Sequence, residues 1–336
     1  MIISRSPFRI SFFGGGTDYP EWFENYKGAT ISTSIDKYCY INLRTLPPFF
    51  NYKYRFRYFE REEVNNINQI KHPSIKNCLD FLGFKKIRQG LEVVHNADVP
   101  ALSGLGSSST FTVGMLHALH CYKKKMIKKE RLMQEAIHVE RNLIGENVGC
   151  QDQMAAAYGG LNYTEYKRNK KIKPKRIFLS DYEKNKLERN SVLLFTGQKR
   201  IADIIAKDQV KNIKNNKSYN HLESINKLTQ QAMTEIFLSK KIDYKKFGLA
   251  LTELWEFKKQ LSNKITNDQI DNIFSLAKEY GAYGGKLLGA GAGGFILFLF
   301  PVNKKQAFIK KNPKLLHVPF KLESMGSQII YNSMNS

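Results

Sequence analysis

The feature that most constrains this chain is a glycine- and serine-rich segment at residues 100–109, which reads PALSGLGSSS. Residues 91–97 before it favour a strand, and residues 110–122 after it favour a mostly apolar helix. Glycines let backbone N–H groups approach an anion closely, and the N-terminus of a helix adds a favourable dipole. The segment is therefore typical of a loop that wraps phosphate groups, although a flexible turn would have a similar composition.

The spacing within this segment excludes two common nucleotide-binding motifs. No Gly-Lys-Ser/Thr follows the glycines, as a P-loop requires. The glycine spacing also differs from the dinucleotide fingerprint of doubly wound domains. Serine hydroxyls can donate to phosphate or bind Mg²⁺, so we expect the phosphate contacts within the segment itself. The candidates are Ser103, Gly104, Leu105, Gly106, Ser107, Ser108 and Ser109.

The length and composition predict a folded protein of two domains. The chain has 336 residues, of which 42% are hydrophobic, and one core rarely covers so long a chain. Residues 165–190 turn polar and lysine-rich, so we expect a first domain at 1–180 and a second at 181–336. Strands and helices are mixed without a regular βαβ alternation, which favours an α+β fold.

The formal net charge of +23 favours binding to a nucleic acid, an acidic membrane surface or an anionic small substrate. No zinc-finger, helix-turn-helix or RNA-recognition signature is visible, so we expect no specific nucleic-acid partner. Residues 289–302 are too few and too glycine-rich to span a bilayer, and the N-terminus lacks a signal-peptide core. The four cysteines form no Cys-x-x-Cys pair, which favours a reduced, cytoplasmic location.

Two further glycine clusters are candidate parts of a functional site. Residues 289–294 read GAGAGG, which implies close backbone approach, positive φ angles or a tight bend. Residues 14–16 are three glycines, with Arg9 on the predicted strand before them and Asp18 just after. An arginine can stabilise a transferring phosphoryl group, and a carboxylate can accept hydrogen bonds from sugar hydroxyls. Asp18 could instead cap a helix at residues 21–25.

Glu140 and Asp152 complete the set of candidate residues. Glu140 lies late in an amphipathic helix predicted over residues 131–144, which Gly145 is expected to end. Asp152 lies near the start of the next helix, where the dipole favours its ionised form. A kinase needs one carboxylate to hold Mg²⁺ and another near the acceptor hydroxyl. A solvated glutamate and a capping aspartate are the ordinary alternative.

The order of these signals along nearly the whole chain resembles the three-motif pattern of the GHMP kinase superfamily. The resemblance implies two α+β domains with the active site in the cleft between them, ATP as co-substrate and Mg²⁺ as cofactor. It implies that residues 103–109 hold the triphosphate and that Ser108 and Glu140 bind Mg²⁺. Asp152 matches the catalytic aspartate, which takes or orients the acceptor proton, and Arg9 matches an arginine close to the transferring phosphoryl group.

The motif at residues 14–18, which reads GGGTD, resembles one branch of the superfamily in particular. Galactokinases carry Glu-His before Thr-Asp, whereas this chain has Gly15 and Gly16 there. The GGGTD form resembles the branch that contains heptose 7-phosphate kinases and the kinase part of fucokinases. Residues 194–200 and 284–288 also resemble that branch. We therefore expect the acceptor to bind near Gly15, Gly16, Asp18 and Gly291.

The choice of acceptor within this branch depends on charge. A phosphorylated acceptor needs cations near its remote end, because charge-assisted contacts with phosphate are strong. Lys199, Arg200 and Lys286 are the candidates, although each could be an ordinary surface residue. The length of a stand-alone kinase, with no appended nucleotidyltransferase domain, also favours the heptose phosphate.

The resemblance thus implies transfer of the ATP γ-phosphoryl group to the anomeric hydroxyl of D-glycero-D-manno-heptose 7-phosphate. The product would be the 1,7-bisphosphate, a precursor of GDP-heptose for capsule or lipopolysaccharide biosynthesis. The alternative is a fucokinase-like enzyme that phosphorylates another, neutral sugar at the same hydroxyl. We expect a monomer or a homodimer without a membrane partner.

Overall fold

The computed structural model describes residues 1–87, 89–197, 202–262 and 264–333. Two antiparallel-rich sheets form its framework, and the helices pack against them. The strands are β1 (Ile2–Phe13), β2 (Gly28–Leu46), β3 (Tyr54–Arg57), β4 (Arg61–Val64), β5 (Gly90–Ala97), β6 (Asn162–Tyr166), β7 (Pro174–Arg176), β8 (Ser191–Phe195), β9 (Gly284–Leu287), β10 (Phe295–Leu299), β11 (Leu316–His317), β12 (Leu322–Glu323) and β13 (Gln328–Asn332).

The α-helices are α1 (Pro20–Phe23), α2 (Pro73–Phe81), α3 (Ser107–Tyr122), α4 (Lys129–His138), α5 (Gln151–Tyr158), α6 (Asp181–Asn190), α7 (Ala202–Lys214), α8 (Tyr219–Ala232), α9 (Tyr244–Lys259), α10 (Asp268–Glu279) and α11 (Val302–Lys311). Short 3₁₀ turns occur at Ile67–Gln69 and Phe84–Lys86, and π-helical turns at Val139–Ile144 and Met233–Phe237. In the described ranges, no helix has the length and apolar content needed to cross a bilayer.

The larger sheet has the order β13-β1-β2-β5-β3-β4, with β6 and β12 also paired to β2 and β7 paired to β6. Its centre is β2, whose β-branched and small residues suit a pleated, packed surface. The first eight residues of β2 are all buried, whereas buried and accessible positions mix in its second half. One end of the strand is therefore covered on both faces, and this end lies beside the part of β1 that carries Arg9, which is paired with Ser34.

The smaller sheet has the order β11-β8-β10-β9, and all its pairs are antiparallel. Its inner strands, β8 and β10, are short apolar runs with almost every residue buried. The segment at residues 289–294 joins β9 to β10 and lies next to the loop before α3, because the Phe295 N–H donates to the Ser103 carbonyl at 3.0 Å. The predicted α+β fold of two domains is confirmed by this arrangement and by the comparisons reported below.

The C-terminal segment returns to the larger sheet. β13 pairs with β1, from Ile2 opposite Asn332 to Arg5 opposite Gln328, and β12 pairs with β2. Part of the stretch at 181–336 thus completes the sheet of the first half of the chain. The boundary between residues 180 and 181 stays a prediction.

The helices and strands near the motifs agree closely with those predicted from the sequence. The predicted strand at residues 91–97 is β5, and the predicted helix at 110–122 is α3, which begins earlier, at Ser107. The amphipathic helix at 131–144 is α4 continued by the π-helical turn, and Gly145 ends it with a φ of 81°. The prediction that Gly145 is the stop is therefore confirmed.

Candidate active site

One cavity of about 500 Å³ collects most of the candidate residues. The first half of the chain lines it with the end of β1, the glycines at 14–16, the loop before α3 and the residues before α5. The second half lines it with α7, the end of α9, β9 and the start of the 289–294 segment. The cavity therefore lies in a cleft to which both halves contribute, as the fold resemblance implies.

The loop before α3 presents a helix N-terminus to this cavity. Gly104 and Gly106 have φ angles of 88° and 79°, a left-handed region that suits glycine, and Gly106 is the N-cap of α3. An added Cβ at Gly106 would lie 3.3 Å from an Asp152 carboxylate oxygen, so glycine also permits close approach. Backbone N–H groups of a helix start form a ready site for phosphate.

The seven predicted phosphate contacts divide into two groups. Five of them line the cavity: Gly104, Gly106, Ser107, Ser108 and Ser109. Ser103 and Leu105 are buried behind it, where their carbonyls accept from Phe295 and Arg9 backbone N–H groups at 3.0 and 3.1 Å. The second group holds the loop against both sheets, so a direct phosphate contact from these two residues stays a prediction.

Arg9 and Asp152 form a bidentate pair at the centre of the cavity wall. Arg9 Nε and Nη2 donate to Asp152 Oδ1 and Oδ2, both at 2.8 Å. Arg9 Nη1 donates to the Gly104 carbonyl at 2.7 Å, which ties the same guanidinium to the phosphate loop. Asp152 lies in the first turn of α5, as predicted, and its side chain is 26% exposed toward the cavity, whereas that of Arg9 is 4% exposed. Each carboxylate oxygen keeps a further lone pair for an incoming hydroxyl.

Asp18 does not cap α1, the helix that follows it. The N-cap of α1 is Tyr19, and no side chain of the described residues caps that helix start. The Asp18 carboxylate instead accepts from the backbone N–H groups of Gly16 and of Gln151, the first residue of α5, each at 3.1 Å, and lines the cavity. Burial, and then the neighbouring charge of Asp152, raises the pKa of Asp18 to about 6. This carboxylate is held firmly next to the glycine turn, and its contact with the acceptor stays a prediction.

Glu140 is fully buried rather than solvated. Ser109 Oγ donates to its Oε2 at 2.8 Å, and Gln153 Nε2 donates to the same oxygen. Its other oxygen, Oε1, is buried and has no hydrogen-bond partner among the described residues. Burial, followed by the charge of Glu146, raises the pKa of Glu140 to about 8.

An unsatisfied buried carboxylate oxygen beside a serine-rich helix start fits a hard cation. Mg²⁺ prefers oxygen ligands and is usually held by one or two carboxylates together with phosphates and waters. The described residues contain no cluster of three His, Cys, Asp or Glu side chains suited to a metal. Ser109 contacts Glu140, whereas Ser108 is exposed in the first turn of α3 and lines the cavity. Binding of Mg²⁺ by Ser108 and Glu140 stays a prediction.

Not all of the residues predicted to bind the acceptor line the cavity. Gly15 and Gly16 line the cavity with φ angles of 92° and 85°. Lys286 also lines it, although it is 2% exposed and its Nζ donates to the Phe12 carbonyl at 3.1 Å. Gly291 packs against Ile265, whose Cα would lie 2.9 Å from an added Cβ. Lys199 and Arg200 lie outside the described residues.

Gln151 and Lys258 are among the cavity residues that the sequence analysis missed. Gln151 lies between Asp18 and Asp152, and Ser11 Oγ donates to its side-chain carbonyl at 2.8 Å. Its position next to Asp152 could have suggested it. Lys258, near the end of α9, is 7% exposed and donates to the Gly289 carbonyl. In a chain with 53 lysines and arginines, no local signal separates it from surface lysines.

Comparisons with known proteins agree with this geometry. Residues 73–160 match the GHMP kinases N terminal domain, and residues 233–314 match the GHMP kinases C terminal family. The D-glycero-alpha-D-manno-heptose 7-phosphate kinase of Campylobacter jejuni is 30% identical over 315 residues, which cover 92% of each chain. The bifunctional fucokinase/GDP-fucose pyrophosphorylase of Arabidopsis thaliana is 25% identical over 87% of this chain but only 29% of its own.

Solved structures show the same fold. The crystal structure of a D-glycero-D-manno-heptose 1-phosphate kinase from Bacteroides thetaiotaomicron superimposes with a TM-score of 0.79, at 23% identity, over 99% of this chain and 100% of that one. A putative sugar kinase from Campylobacter jejuni gives a TM-score of 0.73 at 26% identity, over 98% of each chain.

A glycine loop at a helix start and an arginine-held carboxylate line one cleft, and a buried glutamate contacts the Ser109 hydroxyl of the same helix start. These features define an enzyme of the phosphoryl-transfer class. The sequence matches over both halves identify it further. The chain belongs to the GHMP kinase family and is an ATP-dependent kinase. The relatives cited above are carbohydrate kinases.

Proposed function

We propose that this kinase transfers the γ-phosphoryl group of ATP to the anomeric hydroxyl of D-glycero-D-manno-heptose 7-phosphate, giving the 1,7-bisphosphate. The main support is the similarity to the Campylobacter heptose 7-phosphate kinase over 92% of both chains. The GGGTD turn, with Asp18 facing the same cavity as Asp152, supports the same branch. The product would enter the synthesis of a nucleotide-activated heptose.

The residues of the cavity suit an in-line transfer. The helix start at residues 104–109 would bind the ATP phosphates through backbone N–H groups and serine hydroxyls. Asp152 would accept the hydrogen bond of the anomeric hydroxyl and orient its oxygen toward the γ-phosphorus. As the new P–O bond forms, the bond to the β–γ bridging oxygen breaks and ADP leaves. The hydroxyl proton passes to Asp152 and then to solvent.

Arg9 has two roles in this proposal. It holds Asp152 through two hydrogen bonds, which fixes the carboxylate in one orientation. Its position between Asp152 and the Gly104 carbonyl also places a permanent cation where charge moves during the transfer.

Glu140 and the serines of the first turn of α3 would hold Mg²⁺, whose charge would neutralise the triphosphate. The raised pKa of Glu140 fits this role, because a buried carboxyl without a cation keeps its proton at neutral pH. Metal binding would therefore replace a proton on Glu140.

The test is ADP release with Mg²⁺-ATP and four acceptors: D-glycero-D-manno-heptose 7-phosphate, mannose, fucose and galactose. We expect turnover with the heptose phosphate only, and its loss in Asp152→Asn. A surface variant, Asp80→Asn, removes an exposed ion pair with Lys85 and serves as the matched control. No turnover of the heptose phosphate by the wild-type enzyme would refute the proposal.

A neutral-sugar 1-kinase is the second candidate. It is favoured by the similarity to the Arabidopsis fucokinase over 87% of this chain. Turnover of fucose with a kcat/KM above that of the heptose phosphate would select it. The cytoplasmic location and the monomeric or homodimeric state remain expectations.

A further inference from the structure

The loop at residues 145–150 joins the two elements that carry Glu140 and Asp152. It follows the π-helical turn at Val139–Ile144 and leads into α5. Residues 145–149 line the cavity, yet every residue of the loop lies outside the helices and strands. Contacts with other segments therefore decide how firmly this part of the cavity wall is held.

The loop packs directly on Asp18. The Cys150 N–H donates to the Asp18 carbonyl, and the Gln151 N–H donates to one carboxylate oxygen of Asp18, each at 3.1 Å. An added Cβ at Gly149 would lie 1.9 Å from the same carboxylate oxygen, so the backbone of the loop touches this carboxylate. The orientation of the Asp18 side chain in the cavity therefore depends on where the loop lies.

Arg141, in the π-helical turn, contacts both the loop and the short helix that follows Asp18. Its Nη1 donates to the Val148 carbonyl, and its Nη2 donates to Glu21 Oε1 at 2.7 Å. Glu21 lies in the first turn of α1, three residues after Asp18. These contacts close a ring that runs from Asp18 through Glu21 and Arg141 to the loop and back to Asp18.

The ion pair of this ring is largely withdrawn from water. The side chains of Arg141 and Glu21 are 16% and 17% exposed, and Glu21 Oε2 is buried without a hydrogen-bond partner among the described residues. A shielded ion pair adds little net stability compared with packed apolar side chains, and an unpartnered carboxylate oxygen adds a cost. The pair is therefore better explained by the geometry that it fixes than by the stability that it adds.

We propose that Arg141 is a positioning residue that holds the loop at residues 145–150 against Asp18 and so orients the Asp18 carboxylate for the acceptor. The pair with Glu21 fixes the guanidinium, and the bond to the Val148 carbonyl fixes the loop. This inference rests on the proposed function, because it requires Asp18 to contact the acceptor.

The other parts of the site have supports of their own. Arg9 holds Asp152 with two hydrogen bonds and the Gly104 carbonyl with a third. Loss of Arg141 should therefore raise the KM for the acceptor and leave kcat and the KM for ATP nearly unchanged. A residue needed only for folding would instead reduce the amount of active enzyme, which lowers the apparent kcat and leaves both KM values as they are.

The test measures ADP release with Mg²⁺-ATP and the heptose 7-phosphate in Arg141→Met, in the Arg141→Met/Glu21→Met double variant and in Arg131→Met. Arg131 is the matched control, because it also pairs with a glutamate at 2.7 Å but is 70% exposed on α4. The double variant leaves neither charge of the pair buried without its partner, so it should fold even where Arg141→Met alone is destabilised.

Loss of the oriented Asp18 contact predicts a roughly tenfold rise in the KM for the acceptor, in the single and the double variant alike. The kcat, the KM for ATP and the Mg²⁺ concentration for half-maximal rate should stay within about threefold of the wild type. Arg131→Met should match the wild type in all four quantities. Arg141→Lys, which keeps a cationic donor, should recover part of the loss in acceptor binding.

An unchanged KM for the acceptor in the double variant, or a fall in kcat alone, would overturn the inference. A raised Mg²⁺ requirement would also overturn it, because it would show that Arg141 acts on the neighbouring Glu140 instead of Asp18.

A wild-type enzyme that does not turn over the heptose phosphate would instead refute the proposed function. Amide hydrogen exchange, which needs no acceptor, then decides the role of Arg141. We expect the N–H groups of Cys150 and Gln151 to exchange at least about tenfold faster in the double variant, while those of α3 stay as in the wild type. Equal exchange at these two residues in the wild type and the double variant would overturn the inference.

Discussion

The pairing of Arg9 with Asp152 makes Asp152→Asn the most informative perturbation. The change keeps the shape of the side chain but removes its charge and replaces one acceptor oxygen with a donor. One of the two hydrogen bonds from Arg9, both 2.8 Å long, is then lost. The guanidinium, only 4% exposed, stays in place because Nη1 still donates to the Gly104 carbonyl.

The expected effects on stability and on catalysis differ in size. Breaking a fully buried ion pair costs about 3–5 kcal/mol, and exposed pairs contribute about 0–1 kcal/mol. The Asp152 side chain is 26% exposed, so a loss of roughly 1–3 kcal/mol in the free energy of unfolding is expected. Removing a positioned proton acceptor lowers kcat by about 10²–10⁴-fold. ATP binding should remain, because the loop before α3 is unchanged.

The assay combines ADP release, ATP binding by calorimetry and urea unfolding on the same preparations. Arg9→Met and the Arg9→Met/Asp152→Asn double variant complete a thermodynamic cycle for the unfolding free energies. The double variant should be destabilised by less than the sum of the single variants, since either change alone leaves a buried partner without its ion pair. Turnover by Asp152→Asn within about threefold of the wild type would refute the assigned role, because a positioned proton acceptor contributes far more than that.

Three further predictions concern other parts of the site. The raised pKa of Asp18, about 6, predicts that kcat/KM falls as the pH drops through 6, because only the ionised carboxylate accepts fully from the acceptor; a limb near pH 4 would contradict this. Because this folded-state pKa lies above the usual 3.8, protonated Asp18 favours folding, and this contribution is lost as the pH rises through about 6, which urea unfolding from pH 4 to pH 8 can measure. Gly294→Ala should lower the thermal midpoint far more than Gly197→Ala, since its Cβ would lie 2.2 Å from the Ser103 carbonyl oxygen, whereas no described residue contacts a Cβ at Gly197 within 4 Å. Equal shifts would contradict the close approach. Chelation of divalent cations should stop ADP release. Glu140→Gln should raise the Mg²⁺ concentration for half-maximal rate at least tenfold, because it removes one charge-assisted contact with the cation. An unchanged Mg²⁺ dependence would count against the assignment of Glu140.

The local structure around the motifs could be predicted because it depends on neighbouring residues. The glycines of the loop before α3 permit positive φ angles, and the structure has them at Gly104 and Gly106. A helix that starts directly after such a loop must point its N–H groups into it, whatever the rest of the fold does. The placement of Asp152 in the first turn of α5 follows from the same short-range pattern.

Residues 49–70 contain strands that the sequence pattern did not predict. They carry dense aromatic and charged residues without a readable period, yet they contain β3 and β4. β3 forms a parallel pair with β5, a partner more than thirty residues away in the chain. Such a strand is stabilised by its partner rather than by its own propensity, because β-propensity depends strongly on context.

The sequence by itself determined the family, the two-domain α+β fold and which residues belong to the motifs. Only the tertiary structure decided how those residues act on one another. It paired Arg9 with Asp152 across 143 positions, buried Glu140 with one oxygen that has no partner among the described residues, and placed Lys258 and Lys286 at one cavity. The physical reason is that backbone angles and helix starts depend on short-range sterics, whereas burial, charge pairing and pKa depend on what the packed fold places around each group.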